Sequence, residues 1–348
     1  MLQYNPYTNR FERVQEGGPG SGRYPAGSGK SPRSSRARTS PDGFKQRGMP
    51  ADAPKFRGTP TFARNAGMKS SMEMYQKVDA NGNKVFRDTG KRDSDGRPIR
   101  EIVLTEEREA YLDELAEYTV MSQGATAQDN PVNTIMGGSS GAGKTEFLKS
   151  ADGKALVASD RVTIDADAVK SLMSEYRDTQ LDDKNWKGAA FFAHDESSIV
   201  ADRALKLSIA GNYNTVFDGT GDGSEEKYTA RLEAMSKNGG PIDMVYISIP
   251  LEDSLESVRA RAEKTRRYIP KKVVTEIHGG VSDRFQTALR LSTQKPALRI
   301  RTLKLVERND PKSSEKGFHP ILQFDRGRVT QGRLNDPKYS KFQKYATK

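Results

Sequence analysis

Short apolar runs alternate with stretches of helical period through the middle of this chain. The runs are NTIM (133–136), RVTID (161–165), NTVFD (214–218), MVYISIP (244–250) and LRIRTLKLV (298–306). Between them, residues 144–151, 167–177, 196–211, 224–237, 252–265 and 271–290 have helical character. This alternation predicts an α/β fold, a doubly wound parallel sheet with helices on both faces. Upstream, Thr105 precedes Glu106 and Glu107, and Tyr111, Leu115 and Tyr118 then recur at spacings of four and three. A capping hydroxyl followed by acidic residues predicts an amphipathic helix and the start of the globular domain. Asn81-Gly82 and Asp95-Gly96 favour tight turns, so residues 76–104 are expected to form one or two small hairpins.

No apolar stretch approaches the roughly 18 residues that would cross a bilayer. The opening MLQYNPYTNRF also lacks the apolar segment of a secretory signal. The expectation is a soluble, cytoplasmic protein with no membrane partner. With 348 residues and only 34% hydrophobic ones, the chain has material for one good core rather than two. Its charge is +11, and residues 1–70 carry thirteen Lys/Arg against four acidic residues, a local excess of +9. That stretch is rich in Gly, Pro and Ser and poor in aliphatics. It cannot offset an ordering entropy of about 1–2 kcal/mol per residue, so residues 1–75 are expected to be a disordered basic arm. Residues 76–104 form the hairpin segment, 105–325 the globular domain and 326–348 a basic tail. In the tail Tyr339, Phe342 and Tyr345 interleave with Lys338, Lys341 and Lys344, which suits either stacking on unpaired bases or a plain solvated tail. The absence of cysteine excludes thiol nucleophiles, disulfides and Cys-ligated metals, and three histidines leave little for a His-rich centre. Chemistry must come from carboxylates, hydroxyls, Lys and Arg.

The strongest motif is Gly138-Ser139-Ser140-Gly141-Ala142-Gly143-Lys144-Thr145, a full G-x-x-x-x-G-K-[ST] between an apolar strand and a helical segment. Backbone N–H groups of such a loop converge on a β-phosphate at a helix N-terminus. Lys144 is expected to bridge the β- and γ-phosphates of ATP, and the Thr145 hydroxyl to hold Mg²⁺. Gly27-Ser28-Gly29-Lys30-Ser31 has a similar ending, but Tyr24 stands where the first glycine is required and no strand precedes it.

Asp165 and Asp167 end a predicted strand, at the sheet edge where α/β proteins bind ligands, and could accept a hydroxyl proton. Helix capping accounts equally well for either. Asp218, in Phe217-Asp218-Gly219-Thr220-Gly221, could hold a Mg²⁺-bound water, and Thr220 could meet substrate; a simple turn is the rival reading. Arg259, Arg261, Arg266 and Arg267 precede Tyr268-Ile269-Pro270 and suit either a transition-state charge clamp or a solvated helix face.

Taken in order, GGSSGAGKT, the IDAD strand end, ESSIVADRALKLSIAGNYN leading to VFDGTG, VYISIP and RARAEKTRRYIP resemble the zeta-toxin family of P-loop kinases. The resemblance runs from about Leu104 to Asn309 and implies ATP- and Mg²⁺-dependent transfer to a hydroxyl of UDP-N-acetylglucosamine or a related UDP-sugar. It implies Asp167 as the base, Lys144, Arg261 and Arg267 as stabilisers of the phosphoryl group, and Thr145 as a metal ligand. It also implies Glu196, Asp202 and Thr220 near the acceptor, and a proteinaceous antitoxin as partner. Arg266 stands where a Gly is usual, which leaves open which of the paired arginines meets phosphate. Two alternatives remain: a polynucleotide 5'-hydroxyl kinase that holds nucleic acid through arm and tail, or a nucleic-acid-binding virion protein with a structural core. GGPGSGRYPAGS, which resembles low-complexity segments of bacteriophage head proteins, is a hint of phage origin.

Overall fold

In the computed structural model the description covers residues 2–5, 10–13, 38–39, 45–57, 70–93, 95–182, 184–219, 224–308, 317–326 and 328–332. A seven-stranded sheet is built from β1 (Asn133–Gly138), β2 (Val162–Asp165), β3 (Thr215–Asp218), β4 (Ile242–Ser248), β5 (Ile300–Arg308), β6 (Phe318–Asp325) and β7 (Arg328–Gly332). Their spatial order is β7-β6-β5-β4-β1-β3-β2. The five strands from β1 to β5 run parallel. Parallel strands are buried on both faces, which is why they read as apolar runs. Alternation along each strand feeds two cores. Ile135, Phe217, Met244 and Tyr246 face the larger one; Met136, Val216, Val245 and Ile247 face a smaller one with Phe147 and Ile249. Each fully buried aliphatic or aromatic side chain contributes about 1.5–3 kcal/mol.

The expected parallel sheet is present, and β6 and β7 extend it antiparallel at one edge. The pairing of β5 with β6 shifts register between Leu305 and Val306, opposite Pro320, a residue with no N–H to give a ladder. Because Arg328–Gly332 pairs with β6, sheet structure continues past the expected start of the tail at 326.

The helices that matter for the site are α1 (Glu106–Met121), α2 (Lys144–Lys149), α3 (Ala166–Lys170), α4 (Ser174–Leu181), α5 (His194–Ala210), α6 (Glu225–Met235), α7 (Leu251–Thr265) and α8 (Lys271–Gln294). Thr105 caps α1 by accepting from the Arg108 amide. The single helix expected over 144–151 divides at Ser150, whose hydroxyl accepts from Gly153 N at 3.1 Å and starts a new helix, Ala151–Leu156. That expected over 167–177 divides before Met173, which is fully buried. No helix among the described residues is long and apolar enough to cross a membrane.

Gly82 and Gly96 occupy positive-φ turn positions, and Phe86–Arg92 pairs with Pro98–Ile102 in an exposed ribbon. The expectation that residues 1–75 stay unfolded is corrected for 45–57 and 70–75. Gln46, Ala53, Met74 and Tyr75 are buried, and the Tyr118 hydroxyl donates to Asp52 at 3.1 Å. The few apolar and amide groups in this stretch find partners on the domain, which local composition does not reveal. Residues 14–37, 58–69 and 333–348, with the aromatic-lysine pattern of the tail, lie outside the described residues.

Candidate active site

Because β1 lies between β3 and β4, the strand order reverses beside it, and the crevice at its carboxyl end is where such a sheet binds ligands. There the chain runs from Gly138 through the P-loop into α2. Gly141 (φ 85°) and Gly143 (φ 91°) lie in the left-handed region that favours glycine. A Cβ on Gly141 would stand 2.9 Å from Ser257 Cβ, so the loop rests directly on α7. Its carbonyls are tied outward: the Ser254 hydroxyl donates to Ser140 O at 2.6 Å, and Arg308 Nη1 to Gly141 O at 3.2 Å. Gly143 caps α2 without a side chain, leaving first-turn amides for an anion.

Lys144 Nζ donates to Gly138 O at 3.1 Å and stands 3.8 Å from Asp218 Oδ1. Asp218 is register partner to Asp165 on the neighbouring strand, so the two carboxylates share the sheet edge. Burial raises Asp218 to about 6; Lys144 opposes this, while Asp165 and Asp167 reinforce it. Asp165 is raised by burial and by Asp167, and its carboxylate caps α3 by accepting from Asp167 N at 2.8 Å. Both residues line the cleft, but the Asp165 carboxylate is engaged as a cap, whereas that of Asp167 meets the cleft cations Lys170 and Arg267.

Asp167 sits between two cations. Lys170 Nζ is 3.1 Å from Oδ1, and Arg267 Nη2 bonds Oδ2. Burial alone would raise this carboxyl, but Arg267 and Lys170 together hold it at about 2. Arg261 is lowered to about 10 by burial and by Arg267, and still carries its charge at neutral pH. Nε and Nη2 of Arg261 and Nε of Arg267 are buried with no hydrogen-bond acceptor among the described residues. Unmet guanidinium donors are costly unless an anion completes them.

One cleft of about 1090 Å³ is lined by Gly141 to Thr145 together with Asp165, Asp167, Asp218, Arg261 and Arg267. Arg266 lies elsewhere: it is buried, and its Nη1 donates to Gln180 O at 3.0 Å, so Arg267 is the member of the pair that faces the cleft. Arg259 is exposed beside Glu263. The cleft continues past Phe191, His194, Tyr228, Lys227 and Arg231.

Glu196, expected near the acceptor, is corrected. It is fully buried, accepts from Arg108 Nε at 2.7 Å and Nη2 at 2.8 Å, and takes the Ser71 hydroxyl. Glu175 completes this network, accepting from Arg108 Nη1 at 3.1 Å and from the Tyr75 hydroxyl. Asp202 does not line the cleft. It pairs with Arg231 at 2.7 Å and Lys227 at 3.6 Å, which do. Thr220 lies outside the described residues.

Among the cleft residues that escaped the sequence reading are Lys170, His194, Lys227, Arg231 and Arg308. Three had a usable signal. Lys170 is three residues from Asp167 on one helix face, and Lys227 and Arg231 are a same-face pair. Arg308 ends β5 at the ligand-binding edge, but its position depended on the strand's length.

The donor set also suits a hard cation. Asp218 Oδ1 is buried with no hydrogen-bond partner among the described residues, and Thr145 is an exposed residue of the same cleft. Mg²⁺ takes one or two protein oxygens with phosphate and water, so these residues fit it. Among the described residues no cluster of three or more His, Asp or Glu could hold a metal by itself.

The family model described as Zeta toxin matches residues 116–312. Among solved structures, a chain of the AvrRxo1-ORF1:AvrRxo1-ORF2 complex with sulphate ions is 18% identical. The match covers 79% of this chain and 82% of that one, with a TM-score of 0.52. A structure from the PezAT chromosomal toxin-antitoxin system of Streptococcus pneumoniae is 16% identical over 62% of this chain and 85% of that one, with a TM-score of 0.45. At such identities the likeness is one of fold. No curated protein matches the chain.

Proposed function

We propose, since this chain belongs to the zeta toxin family, whose members are ATP-dependent kinases, that it transfers the γ-phosphate of ATP to a hydroxyl of a nucleotide sugar such as UDP-N-acetylglucosamine. The observation that carries the reading is one cleft lined by both a P-loop and the Asp167 carboxylate, with unmet donors on Arg261 and Arg267.

The chemistry is set by the groups present. Loop amides and Lys144 grip the β- and γ-phosphates, with Lys144 leaving its contact with Gly138 O to do so. Mg²⁺, when bound through Thr145 and Asp218, would supply positive charge beside the phosphates. Arg261 and Arg267 give their free N–H groups to the γ-phosphoryl oxygens as charge spreads over them. The acceptor oxygen forms the new bond to phosphorus, the bond to the β-phosphate oxygen breaks, ADP leaves, and the hydroxyl proton passes to Asp167. A carboxylate held at about 2 is too weak a base to ionise a free alcohol. Its work is to orient the hydroxyl and to take the proton late, as a loose phosphoryl transfer requires.

Lys227 and Arg231, anchored by Asp202, line the cleft and suit an acceptor that carries phosphates of its own. An inhibitory protein partner belongs to the same proposal, since the similar AvrRxo1 chain was solved in a two-component complex. The test is incubation with γ-labelled ATP and Mg²⁺ beside separate UDP-sugars and 5'-hydroxyl oligonucleotides. Label on a UDP-sugar supports the reading. Label on the oligonucleotide alone, falling steeply with salt, replaces it with a polynucleotide kinase.

A further inference from the structure

A chain of buried and half-buried hydrogen bonds runs from the basic arm, outside the matched residues 116–312, to the backbone just before Arg267. Gln46 is buried, and its Nε2 donates to Arg177 O at 2.9 Å and to Gln180 Oε1 at 3.0 Å, both on α4. Arg177 returns the contact, Nη2 donating to Arg47 O at 2.9 Å. The same Gln180 carboxamide meets the end of α7: its Nε2 donates to Thr265 O at 3.0 Å, and Arg266 Nη1 donates to Gln180 O at 3.0 Å.

Those last two contacts define the turn from which Arg267 projects. Arg266 has φ 51°, a left-handed conformation that is strained for a non-glycine residue and persists only when its surroundings over-determine it. That conformation sends successive side chains to different places, Arg266 to α4 and Arg267 to Asp167. Gln180 Nε2 also donates to the Tyr176 hydroxyl at 2.9 Å, and Tyr176 is buried close enough to feel the charges of Arg267 and Asp167.

We propose that the segment at Gln46 and Arg47 is a brace that locks α4 against the Thr265–Arg266 turn and so fixes Arg267 on Asp167. Gln46 is then a positioning residue for phosphoryl transfer, supplied by a stretch whose composition alone predicts disorder. The inference rests on the kinase reading.

The experiment uses the full-length chain with Gln46→Leu, which keeps the volume and removes the donors, alone and combined with Arg267→Lys. ADP formation from ATP is measured with UDP-N-acetylglucosamine and with water as acceptor. The expected result is a fall in kcat on the order of tenfold, the scale of a small misplacement of a catalytic group, with KM for ATP unchanged. In the Arg267→Lys background the same change should cost nothing further, because coupled residues are not additive. Wild-type kcat in Gln46→Leu, or the same proportional loss in both backgrounds, overturns the brace. A wild-type chain that forms no ADP removes the kinase reading, and the brace with it. If the Leu variant does not fold, Gln46→Asn, which keeps the donor one methylene short, takes its place in the same cycle: a kcat loss confined to the Arg267 background supports the brace, and an unchanged kcat or an equal loss in both overturns it.

Discussion

Glu196 separates a structural reading from a substrate-binding one. Replacing it by Ala removes two charge-assisted hydrogen bonds to the Arg108 guanidinium, at 2.7 and 2.8 Å, and the acceptor for Ser71. Hydrogen bonds to charged groups contribute roughly 1.5–3 kcal/mol each, and breaking a buried ion pair from one side costs about 3–5 kcal/mol. Glu175 still faces the guanidinium at 3.1 Å, so Arg108 is not left without a counter-charge and the lower end applies. A loss of about 3 kcal/mol lowers Tm by roughly 6–12 °C, at 2–4 °C per kcal/mol for a domain of this size. The assay is thermal unfolding by circular dichroism, paired with acceptor KM measured well below the variant's Tm. A variant with wild-type Tm and a raised acceptor KM would refute the argument and return Glu196 to the substrate.

Lys144→Ala should abolish both transfer and tight ATP binding, whereas Asp167→Ala should lower kcat on the order of 10²–10⁴-fold with ATP affinity kept; titration by calorimetry separates the two. Asp218 is raised by burial to about 6, so kcat/KM for ATP should climb with pH through that value and level off, and Asp218→Asn should lose this limb. Its effect on folding has the opposite sign. The folded value lies above the ordinary 3.8, so the stability it contributes is complete below that value and is lost as pH rises through about 6; denaturant melts of wild type and Asp218→Asn across this range read the difference. Gly137→Ala would set a Cβ 2.4 Å from Tyr246 Cε1, and that ring is fully buried against Phe285. Overpacking there should cost about 1–3 kcal/mol, measured as a lower denaturant midpoint.

The parallel strands and the P-loop were legible because their signals are local: buried-on-both-faces runs and glycines at fixed spacing. Asp167 was legible as a carboxylate at a strand end, but its separation from Asp165 was not, since only the turn into α3 decides which one caps and which one meets the cleft cations. Arg108 sits in EEREAYLDEL, which reads as a solvated helix start; its burial depends on Glu175 and Glu196, 67 and 88 residues away. The misassignment of Glu196 has the same origin. Arg266 and Arg267 are adjacent in sequence and opposite in role because one backbone torsion changes sign where α7 ends. β6 escaped because His319 and Pro320 interrupt its apolar pattern, and only the neighbouring β5 makes it a strand.

Ser254, near the start of α7, clasps the loop, and the same helix bears Arg261 seven residues on. An α-helix rises 1.5 Å per residue, which sets these two stations about 10 Å apart along a rod that does not stretch. On the proposed mechanism the rod works as a caliper. Its jaws are the clasped loop and the station of Arg261, and the helix between them fixes that gap.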